Sequence, residues 1–576
     1  MIVRILAVII AGASMRLISP PIGMYALHWF NLVLAFWALQ QGNNKRNAGL
    51  MYLFGVSLIA TNYYWITESA QTFAQIPQIL CWLIIFLYAS VFALPFGVIG
   101  AATHWIRDRW GVHWIWLIPG LQVAIEQTWP ALFPYYHGAL FYRSEWTWQF
   151  ASVLGVTSLS FLVFAVNAAF TELLYARRNG ANLPFKAVGI VMGCWGLVSV
   201  FGYVRHGQLE KEIAESPVLR VSVLQQDVTM KYRLDRDTWE AIKDWQVLTD
   251  KILDQKPDLV IWPEGAMGGP YNPIEERSCR EYPHNPVKAC RILNNKSLHG
   301  YFSSLAKDNG FDFLIGGGTF TPFVGDVIKK MRETGGDPEY SATNSLYLFD
   351  HTGTVRGRYD KMILLPFGEY IPLADTFPIL RKYIQGPGNF QAGKEVTYFD
   401  AGTNKTPYRF STPICYEAIL NSQMRKMTES DLFINVTNDA WFGDTAAPHQ
   451  HAMLAAVQSI EWGRPMIRNA YTGVSFFVEA NGDIIEETKP FDPQARVAPL
   501  HLYKTNTIYR QGGWIFPWLW VLAWPAIFFV TRKRPILGED SKEVTSDVDA
   551  SGSDSVSSDE TSSPTSPYTD EGDEQG

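Results

Sequence analysis

The sequence predicts two structural classes in one chain: a multi-pass α-helical membrane domain and an α/β domain outside the membrane. The first observation behind this prediction is a set of apolar runs almost free of charge, most of which approach the roughly 20 residues that a helix needs to cross a bilayer. The second is a block over residues 205–512 in which short β-rich runs alternate with helical patterns. The composition agrees, because 48% hydrophobic and 14% aromatic residues are high fractions for a soluble protein.

The apolar runs predict about eight membrane-spanning helices. Seven of them form a predicted bundle over residues 1–205, and the eighth covers residues 512–532. The first run, "MIVRILAVIIAGAS", also has the charged start, apolar centre and small residues of a signal peptide. We interpret it as a helix and leave its cleavage open. The runs lie near residues 2–15, 22–40, 49–66, 76–103, 114–129, 150–176, 186–204 and 513–531.

The charges of the connecting loops predict the orientation of the bundle, because Lys and Arg accumulate on the cytoplasmic side of a membrane. Alternate loops hold clusters of these residues, whereas the intervening short loops hold only Arg16 and Arg143. We therefore expect the N-terminus inside the cell and the α/β block on the periplasmic side of a bacterial inner membrane. The clustered cations are Lys45, Arg46, Arg107, Arg109, Arg177, Arg178, Lys186, Arg532, Lys533 and Arg534.

The last segment, residues 538–576, is predicted to be a disordered acidic tail in the cytoplasm. It holds twelve acidic residues against one lysine, a charge of −11 that exceeds in magnitude the −7 of the whole chain. A segment with few apolar residues and a high net charge does not bury enough surface to fold. Composition alone leaves open whether the tail binds a partner.

The block outside the membrane has the pattern of a layered α/β domain, which we place over residues 217–505. β-rich runs predict its strands, amphipathic patterns predict the helices between them, and the pair Asn481-Gly482 predicts a hairpin turn. The predicted strand segments are residues 219–226, 258–265, 312–318, 344–350, 408–417, 431–439 and 473–485, and the predicted helices lie near 236–255, 300–309 and 447–462.

Three reactive side chains follow predicted strands of this domain: Glu264, Lys361 and Cys415. Loops at the edge of a rigid sheet are where catalytic groups concentrate, so the three predict a convergent site. We expect them outside the core, so that substituting them leaves the fold intact. Taken alone, each has an ordinary explanation: a solvated acid, a surface lysine, and a cysteine that packs as a small hydrophobe.

Four segments carry a resemblance to a known family. "WPEG", "RYDKMILLPFGEYIP", "ICYE" and "NVTNDAWFGDTAAPHQHAMLAAVQSIEWGRPMIRNAYTGVSFF" resemble the Glu, Lys and Cys segments of the carbon-nitrogen hydrolase (nitrilase) superfamily. The particular residues of these segments are similar to those of its membrane branch, the apolipoprotein N-acyltransferases. The segment "WTWQFASVLGVTSLSFLVFAVNAAF" resembles that branch as well. The resemblance implies that the extracytoplasmic domain is a nitrilase-like αββα sandwich.

By this resemblance, Glu264 is the general base, Lys361 stabilises the oxyanion and Cys415 is the nucleophile. A thiol with a pKa of about 8.5 is mostly protonated at neutral pH, so a nearby carboxylate must accept its proton as it attacks an ester carbonyl. A preorganised cation at the oxyanion is typically worth about 3 kcal/mol. Supporting roles are implied for Glu369, Tyr416 and Glu417, and a substrate-binding role for Tyr232, which replaces a family tryptophan.

The resemblance also implies an activity. Cys415 takes an acyl chain from a membrane phospholipid as a thioester, and the N-terminal amine of the diacylglyceryl-cysteine of an apolipoprotein then receives it, in the last step of lipoprotein maturation. The expected partners are a phospholipid donor, a diacylated apolipoprotein and the lipid bilayer, with no nucleic acid. No cofactor and no metal are expected, because His137, His449 and His451 do not stand at zinc-ligand spacing.

Two alternatives remain open on the sequence. A membrane-tethered amidase or nitrilase uses the same three residues to hydrolyse a small C–N substrate. A transporter or receptor is indicated by ionisable residues inside the spans, for which Glu126 and Arg107 are the candidates. The sequence does not fix the preferred acyl chain, the preferred head group or the oligomeric state.

Two further cysteines, Cys279 and Cys290, flank "REYPHNPVKA" in a segment that looks like an insertion. In the predicted topology this segment faces an oxidising compartment, where disulfides form and persist. We therefore hypothesise a disulfide between the two.

Overall fold

The computed structural model describes residues 1–40, 42–74, 76–228, 237–267, 270–271, 296–322, 340–374, 376–377, 379, 390–403 and 406–535. The predictions for Tyr232, for a disulfide between Cys279 and Cys290, and for the tail over residues 538–576 lie outside these residues.

The N-terminal region is helical. Its apolar helices follow the predicted runs, but the run near 22–40 gives only the helical stretch Tyr25–Leu39, because two prolines and Gly23 precede it. The helices are α1 (Ile2–Ile18), α2 (Asn31–Leu39), α3 (Asn44–Asn62), α4 (Ile66–Ala74), α5 (Gln78–Phe92), α6 (Leu94–Trp110), α7 (Trp114–Thr128), α8 (Ala151–Leu154), α9 (Val156–Asn179) and α10 (Phe185–Ala214).

Within the described residues, four helical stretches are long and apolar enough to cross a membrane. These are Gln78–Thr128, which joins α5, α6 and α7, then α9, α10, and a C-terminal stretch Gly513–Lys533. α9 is mostly buried at the centre of the region, whereas α10 and the C-terminal stretch expose apolar side chains, as lipid-facing helices do.

Close helix crossings hold the N-terminal region together. A Cβ atom at Gly100 of α6 would lie 2.2 Å from the main-chain oxygen of Asn47 on α3, so only glycine fits at this crossing. Small residues at such crossings let helix backbones approach inside a membrane, where van der Waals packing drives their association.

The α/β domain consists of two β-sheets whose apolar inner faces share one core. Each predicted strand segment overlaps an observed strand, and the Asn481-Gly482 pair forms the predicted hairpin turn. The strands are β1 (Val218–Gln225), β2 (Leu259–Trp262), β3 (Pro270–Tyr271), β4 (Asp312–Pro322), β5 (Tyr340–Phe349), β6 (Val355–Asp360), β7 (Tyr398–Thr403), β8 (Thr406–Ser411), β9 (Leu432–Thr437), β10 (Met466–Ala470), β11 (Phe476–Val478), β12 (Ile484–Glu487) and β13 (Gln494–His501).

In the described part of the chain, the first sheet has the order β13-β1-β2-β4-β5-β6, with β3 paired to β4, and the second has the order β12-β11-β10-β9-β8-β7. Strands β1, β2 and β4 are parallel, and so are β8, β9 and β10. The remaining helices are α11 (Thr238–Asp250), α12 (Lys296–Asn309), α13 (Asn421–Met424), α14 (Ala447–Trp462), α15 (Ile508–Gln511) and α16 (Phe516–Lys533).

Helices cover the outer faces of the sheets, so the domain is an α/β sandwich. Trp245 of α11 and Phe302 of α12 both pack on the ring of Trp262 in β2. α14 packs against β10 and against the turn that holds Cys415.

The α/β domain rests on the helical region through hydrogen bonds at both ends of α14. Near its start, Gln450 accepts a hydrogen bond from Trp65 Nε1 and donates one to the main-chain oxygen of Asn62, each at 3.0 Å. Near its end, Glu461 accepts the Val156 N–H at the start of α9, at 2.8 Å. α14 therefore holds the second sheet in place over the helices.

Candidate active site

The three predicted residues come together where the ends of the two sheets meet. Glu264 lies two residues beyond β2, Lys361 follows β6 directly, and Cys415 opens the short 3-10 helix Cys415–Ile419 after β8. The Nζ atom of Lys361 lies 3.7 Å from Glu264 Oε1, and the charges of both residues act on the Cys415 thiol. A Cβ atom at Gly316 of β4 would lie 2.4 Å from the oxygen of Pro263, so the Gly-rich run 315–319 makes room for the turn that carries Glu264.

The prediction that these residues lie outside the core is wrong. Cys415 is 5% exposed, Glu264 8% and Lys361 1%. A later segment of the chain covers the end of β6, where the Gly393 N–H donates to the main-chain oxygen of Lys361 at 2.7 Å. The site is therefore a buried one, and its charged groups must find partners within the protein.

Lys361 belongs to a group of four side chains that we call the lysine cluster: Glu264, Asn344, Lys361 and Glu369. Lys361 Nζ lies 2.8 Å from Glu369 Oε2. The Asn344 amide donates to Glu264 Oε1 at 2.5 Å and to Glu369 Oε1 at 2.9 Å, and so spaces the two carboxylates. Asn344 is not among the site residues predicted from the sequence, although it is the polar first residue of the predicted strand segment 344–350.

The electrostatics of the lysine cluster keep Lys361 charged. Burial acts to lower the pKa of this ammonium, but Glu369, Cys415 and Glu264 raise it by more, and the net pKa lies above its ordinary value. A permanently charged ammonium beside the thiol is what stabilisation of an oxyanion requires.

The Cys415 thiol stays protonated at neutral pH. Burial and the charge of Glu264 raise its pKa to about 12, while Lys361 and a hydrogen bond with Thr437 act in the lowering direction. A thiol in this state attacks a carbonyl only if a base takes its proton in the same step, and the adjacent carboxylate is Glu264.

The backbone of Cys415 is strained. Its φ of +52° lies in the left-handed region, which costs a residue other than glycine on the order of 1–3 kcal/mol and persists only where the surroundings enforce it. Strained residues of this kind cluster at active sites, which favours a catalytic over a packing role for this cysteine.

Glu417 joins the turn of Cys415 to the segment after Lys361. Its Oε1 accepts the N–H groups of Met362 at 2.7 Å and Ile363 at 3.0 Å, and its Oε2 accepts that of Ile414 at 2.8 Å. The Tyr359 hydroxyl donates to both oxygens at 2.9 Å. Burial raises the pKa of Glu417 to about 7, against the lowering effect of these hydrogen bonds. This carboxylate therefore ties the two sheets together at the site.

Tyr416 connects the site to the helical region. Its ring lies 5.9 Å from that of Phe133, which belongs to the loop after α7. Phe133 also contacts Phe442 and His451 of the α/β domain. The buried ring of Tyr416 thus faces an aromatic surface contributed by both parts of the chain.

A second buried group was not predicted from the sequence, and we call it the arginine cluster: Asn435, Asp439, His451 and Arg468. Arg468 donates to Asp439 Oδ2 at 2.8 Å, to Asn435 Oδ1 at 2.5 Å and to the oxygen of Val474 at 3.1 Å. His451 Nδ1 lies 2.9 Å from Asp439 Oδ1. Asp439 and His451 lie in the segments "NDAWFGD" and "HQH", which belong to the stretch that carries the family resemblance. A contact between the two residues was not predicted.

The remaining sequence candidates do not add to the site. Arg107 pairs with Glu172 at 3.1 Å and hydrogen-bonds Gln40, and Glu126 accepts the amide of Gln122 at 3.0 Å, so both ionisable residues have partners in the helical region. Across the described residues, no group of three or more His, Cys, Asp or Glu side chains is arranged to hold a metal ion.

Family models match both the helical region and the α/β domain of the chain. Residues 11–169 match the family model of the apolipoprotein N-acyltransferase N-terminal domain, and residues 220–505 match that of carbon-nitrogen hydrolases. The apolipoprotein N-acyltransferase of Geobacter metallireducens is 26% identical over 523 residues, which cover 89% of this chain and 92% of the relative. That of Photobacterium profundum is 24% identical over 542 residues, with coverages of 91% and 93%.

Among solved structures, an amidase from Nesterenkonia sp. is similar at 15% identity, with a TM-score of 0.34, over 51% of this chain and 92% of the amidase.

Proposed function

The chain belongs to the apolipoprotein N-acyltransferase family, and we propose that it transfers an acyl chain from a membrane phospholipid to the N-terminal amine of a diacylated apolipoprotein, through a thioester on Cys415. The observation that carries this proposal is a buried site in which Lys361 lies 3.7 Å from Glu264 and both charges act on the thiol of the strained Cys415. The lysine cluster supplies the base and the cation, and the second sheet supplies the thiol.

In the first half-reaction, Glu264 takes the proton of the Cys415 thiol as the sulfur attacks the ester carbonyl of the phospholipid. A C–S bond forms, and the developing oxyanion is stabilised by the ammonium of Lys361. The tetrahedral intermediate then breaks its C–O bond, and Glu264 returns the proton to the departing alkoxide. The products are the acyl-enzyme and a lysophospholipid.

In the second half-reaction, the N-terminal amine of the apolipoprotein attacks the thioester. Glu264 takes a proton from the amine as the C–N bond forms, Lys361 again faces the oxyanion, and the C–S bond breaks. The thiolate regains the proton from Glu264. The product is an N-acylated lipoprotein, and the enzyme returns to its starting state.

The supporting residues have distinct roles in this proposal. Lys361 Nζ lies 2.8 Å from Glu369 and 3.7 Å from Glu264. Glu264 is therefore the carboxylate with the looser ion pair, and it is the one that exchanges protons. Glu417 holds the nucleophile's turn, and Tyr416 lines the approach from the membrane side. Tyr232 is proposed to contact substrate on the strength of the family resemblance alone.

We further propose that the chain crosses a bacterial inner membrane about eight times, with the α/β domain in the periplasm. The division is a bundle over residues 1–205, a catalytic domain over 217–505, an eighth helix over 512–532 and a cytoplasmic tail over 538–576. The long apolar helices and the alternation of Lys and Arg among the loops support this arrangement. A multi-helix platform beside the site gives the acyl chain of a lipid a route that stays in the membrane.

The test is incubation of the purified protein with phospholipid and a diacylated lipopeptide, read by mass spectrometry. An added acyl chain on the peptide amine, absent with Cys415→Ala, is the expected result. Release of free fatty acid with no acylated peptide would instead favour a tethered hydrolase, and no covalent change in either substrate would favour a transporter or receptor.

A further inference from the structure

Asn435 of the arginine cluster contacts the turn that holds the nucleophile, although it takes no part in the two half-reactions. Its amide nitrogen donates to the main-chain oxygen of Pro413 at 2.9 Å and to that of Cys415 at 3.4 Å. The side chain of Asn435 is 0% exposed, so it does not reach a substrate that enters the site. Asn435 therefore acts on the reaction only through the main chain around Cys415.

The contact lies where the pairing between β8 and β9 is interrupted. Regular pairing extends to Ser411 and resumes in the same register at the bridge between Ile414 and Val436. In this register Asn435 lies opposite Pro413, which has no N–H group to donate to a neighbouring strand. The Asn435 amide thus adds a hydrogen bond between the strands at the point where a proline weakens their pairing, directly before Cys415.

The two peptide groups that flank the α-carbon of Cys415 are both held by hydrogen bonds. The oxygen of the preceding group, that of Ile414, accepts the Glu417 N–H at 3.1 Å. The oxygen of the following group, that of Cys415 itself, accepts from Asn435. The orientations of these two planar groups set φ and ψ of the residue between them. Asn435 therefore supplies one of the constraints on the strained conformation of Cys415, whose φ is +52°.

The rest of the arginine cluster fixes the orientation of the Asn435 amide. Its Oδ1 atom accepts from Arg468 at 2.5 Å, and Arg468 is held in turn by Asp439 at 2.8 Å and by the oxygen of Val474 at 3.1 Å. Because a guanidinium group only donates, it must face Oδ1, and the amide N–H groups then face the two carbonyls. A buried ion pair thus sets the direction in which Asn435 donates.

We propose that Asn435 is a positioning residue: its amide holds the carbonyls of Pro413 and Cys415 and so keeps the nucleophile in the left-handed conformation in which it reacts. This inference rests on the proposed function, because it takes Cys415 as the nucleophile. A displacement of about 1 Å at a reacting group costs on the order of 10²-fold in rate, so even a small relaxation of this turn is measurable.

Two substitutions remove the contact without adding a charge near the thiol. Asn435→Leu keeps a similar side-chain volume and removes both donated hydrogen bonds. Asn435→Ser shortens the side chain, so that its hydroxyl lies too far from the two carbonyls, and it is the second variant if Asn435→Leu does not fold. Asn469→Leu is the matched control, because Asn469 lies on the neighbouring strand β10, is also 0% exposed and donates to the oxygen of Ile261 at 2.8 Å.

The measurements are the single-turnover rate of thioester formation on Cys415 per folded molecule, the KM for phospholipid and the melting temperature. We expect Asn435→Leu and Asn435→Ser to slow thioester formation about 10- to 100-fold with unchanged KM, and Asn469→Leu to keep the rate of the unmodified protein. A normal rate in a folded Asn435 variant would overturn the inference. So would an equal loss of rate in Asn469→Leu, because the rate would then follow the stability of the sheet and not the hold on Cys415.

Cys415→Ala, measured in parallel, keeps the two proposals apart. If it abolishes the thioester while the Asn435 variants form it at the normal rate, the positioning role fails and the proposed function stands. If Cys415→Ala still acylates the lipopeptide, the proposed function itself fails.

Discussion

The lysine cluster and the arginine cluster each bury a cation near Cys415, but they differ in net charge and in solvent exposure. The lysine cluster sets one ammonium against two carboxylates, which are 8% exposed, and one of its ion pairs is loose at 3.7 Å. The arginine cluster sets one guanidinium against one carboxylate, its members are 0–1% exposed, and its contacts with Asp439 and Asn435 measure 2.5–2.9 Å.

Because of this difference, the two clusters have different roles in the proposed mechanism. A group with one surplus negative charge can accept a proton and become neutral, which a base in a buried site must do. A charge-balanced group whose carboxylate is hydrogen-bonded on both oxygens, as Asp439 is, resists both protonation and movement, because breaking a buried pair leaves an uncompensated charge. In the proposed mechanism the lysine cluster therefore carries the chemistry, whereas the arginine cluster holds the main chain around Cys415 through Asn435.

The largest effect is expected from substitution of the Cys415 thiol, which lies near both clusters. Cys415→Ala is expected to abolish the acyl-enzyme, because no other group of the site is a nucleophile in the proposed mechanism. The check is mass spectrometry of the protein after incubation with phospholipid alone, with neutral hydroxylamine to release a thioester. A hydroxylamine-sensitive acyl group on the variant would contradict the mechanism.

The next largest effect is expected at the base. Glu264→Gln keeps the size of the side chain and the contact with Asn344, but it removes the proton acceptor, and we expect acylation to fall by roughly 10²- to 10⁴-fold. Glu369→Gln serves as the matched carboxylate variant and should cost less, because Glu369 holds Lys361 without taking a proton. Equal losses in the two variants would mean that the carboxylates share the role of base.

Substitution of the cation should slow the reaction by a smaller factor. Lys361→Met keeps much of the side-chain volume and removes the charge that faces the oxyanion, and a loss of about 10²- to 10³-fold in kcat is typical of such a group. The variant should also melt at a lower temperature, because Glu264 and Glu369 lose their buried partner. A well-folded variant with normal kcat would exclude Lys361 from the chemistry.

The pH dependence of Cys415 alkylation sharpens the contrast between base and cation. With a thiol pKa raised to about 12, the alkylation rate should still rise with pH beyond pH 9, where an ordinary thiol of pKa about 8.5 levels off. Glu264→Gln removes a charge that raises this pKa and should shift the curve to lower pH. Lys361→Met removes a charge that lowers it and should shift the curve to higher pH. Shifts of the same sign in both variants would contradict the placement of the two charges.

The sequence predicted the positions of Glu264, Lys361 and Cys415 after strands, but it did not predict their surroundings. Glu264, Lys361 and Cys415 follow β-rich runs with clear ends, and such runs are readable from one chain. Their burial was not readable, because the segments that cover them are separated from them in sequence. Asn435 and Arg468 escaped notice for the same reason: they lie inside apolar strand runs, where only the partner strands reveal that a polar side chain is satisfied.

The smallest expected effect is at the junction between α14 and the helical region. Gln450→Leu removes the hydrogen bonds with Trp65 and Asn62, and each buried group left without a partner costs about 1–3 kcal/mol. We expect a lower melting temperature in detergent with kcat per folded molecule unchanged, since Gln450 touches neither cluster. If Gln450→Leu instead lowers kcat per folded molecule, then the position of the nucleophile depends on the helical region. Geometry would then be set by the junction of the two domains as well as by the arginine cluster.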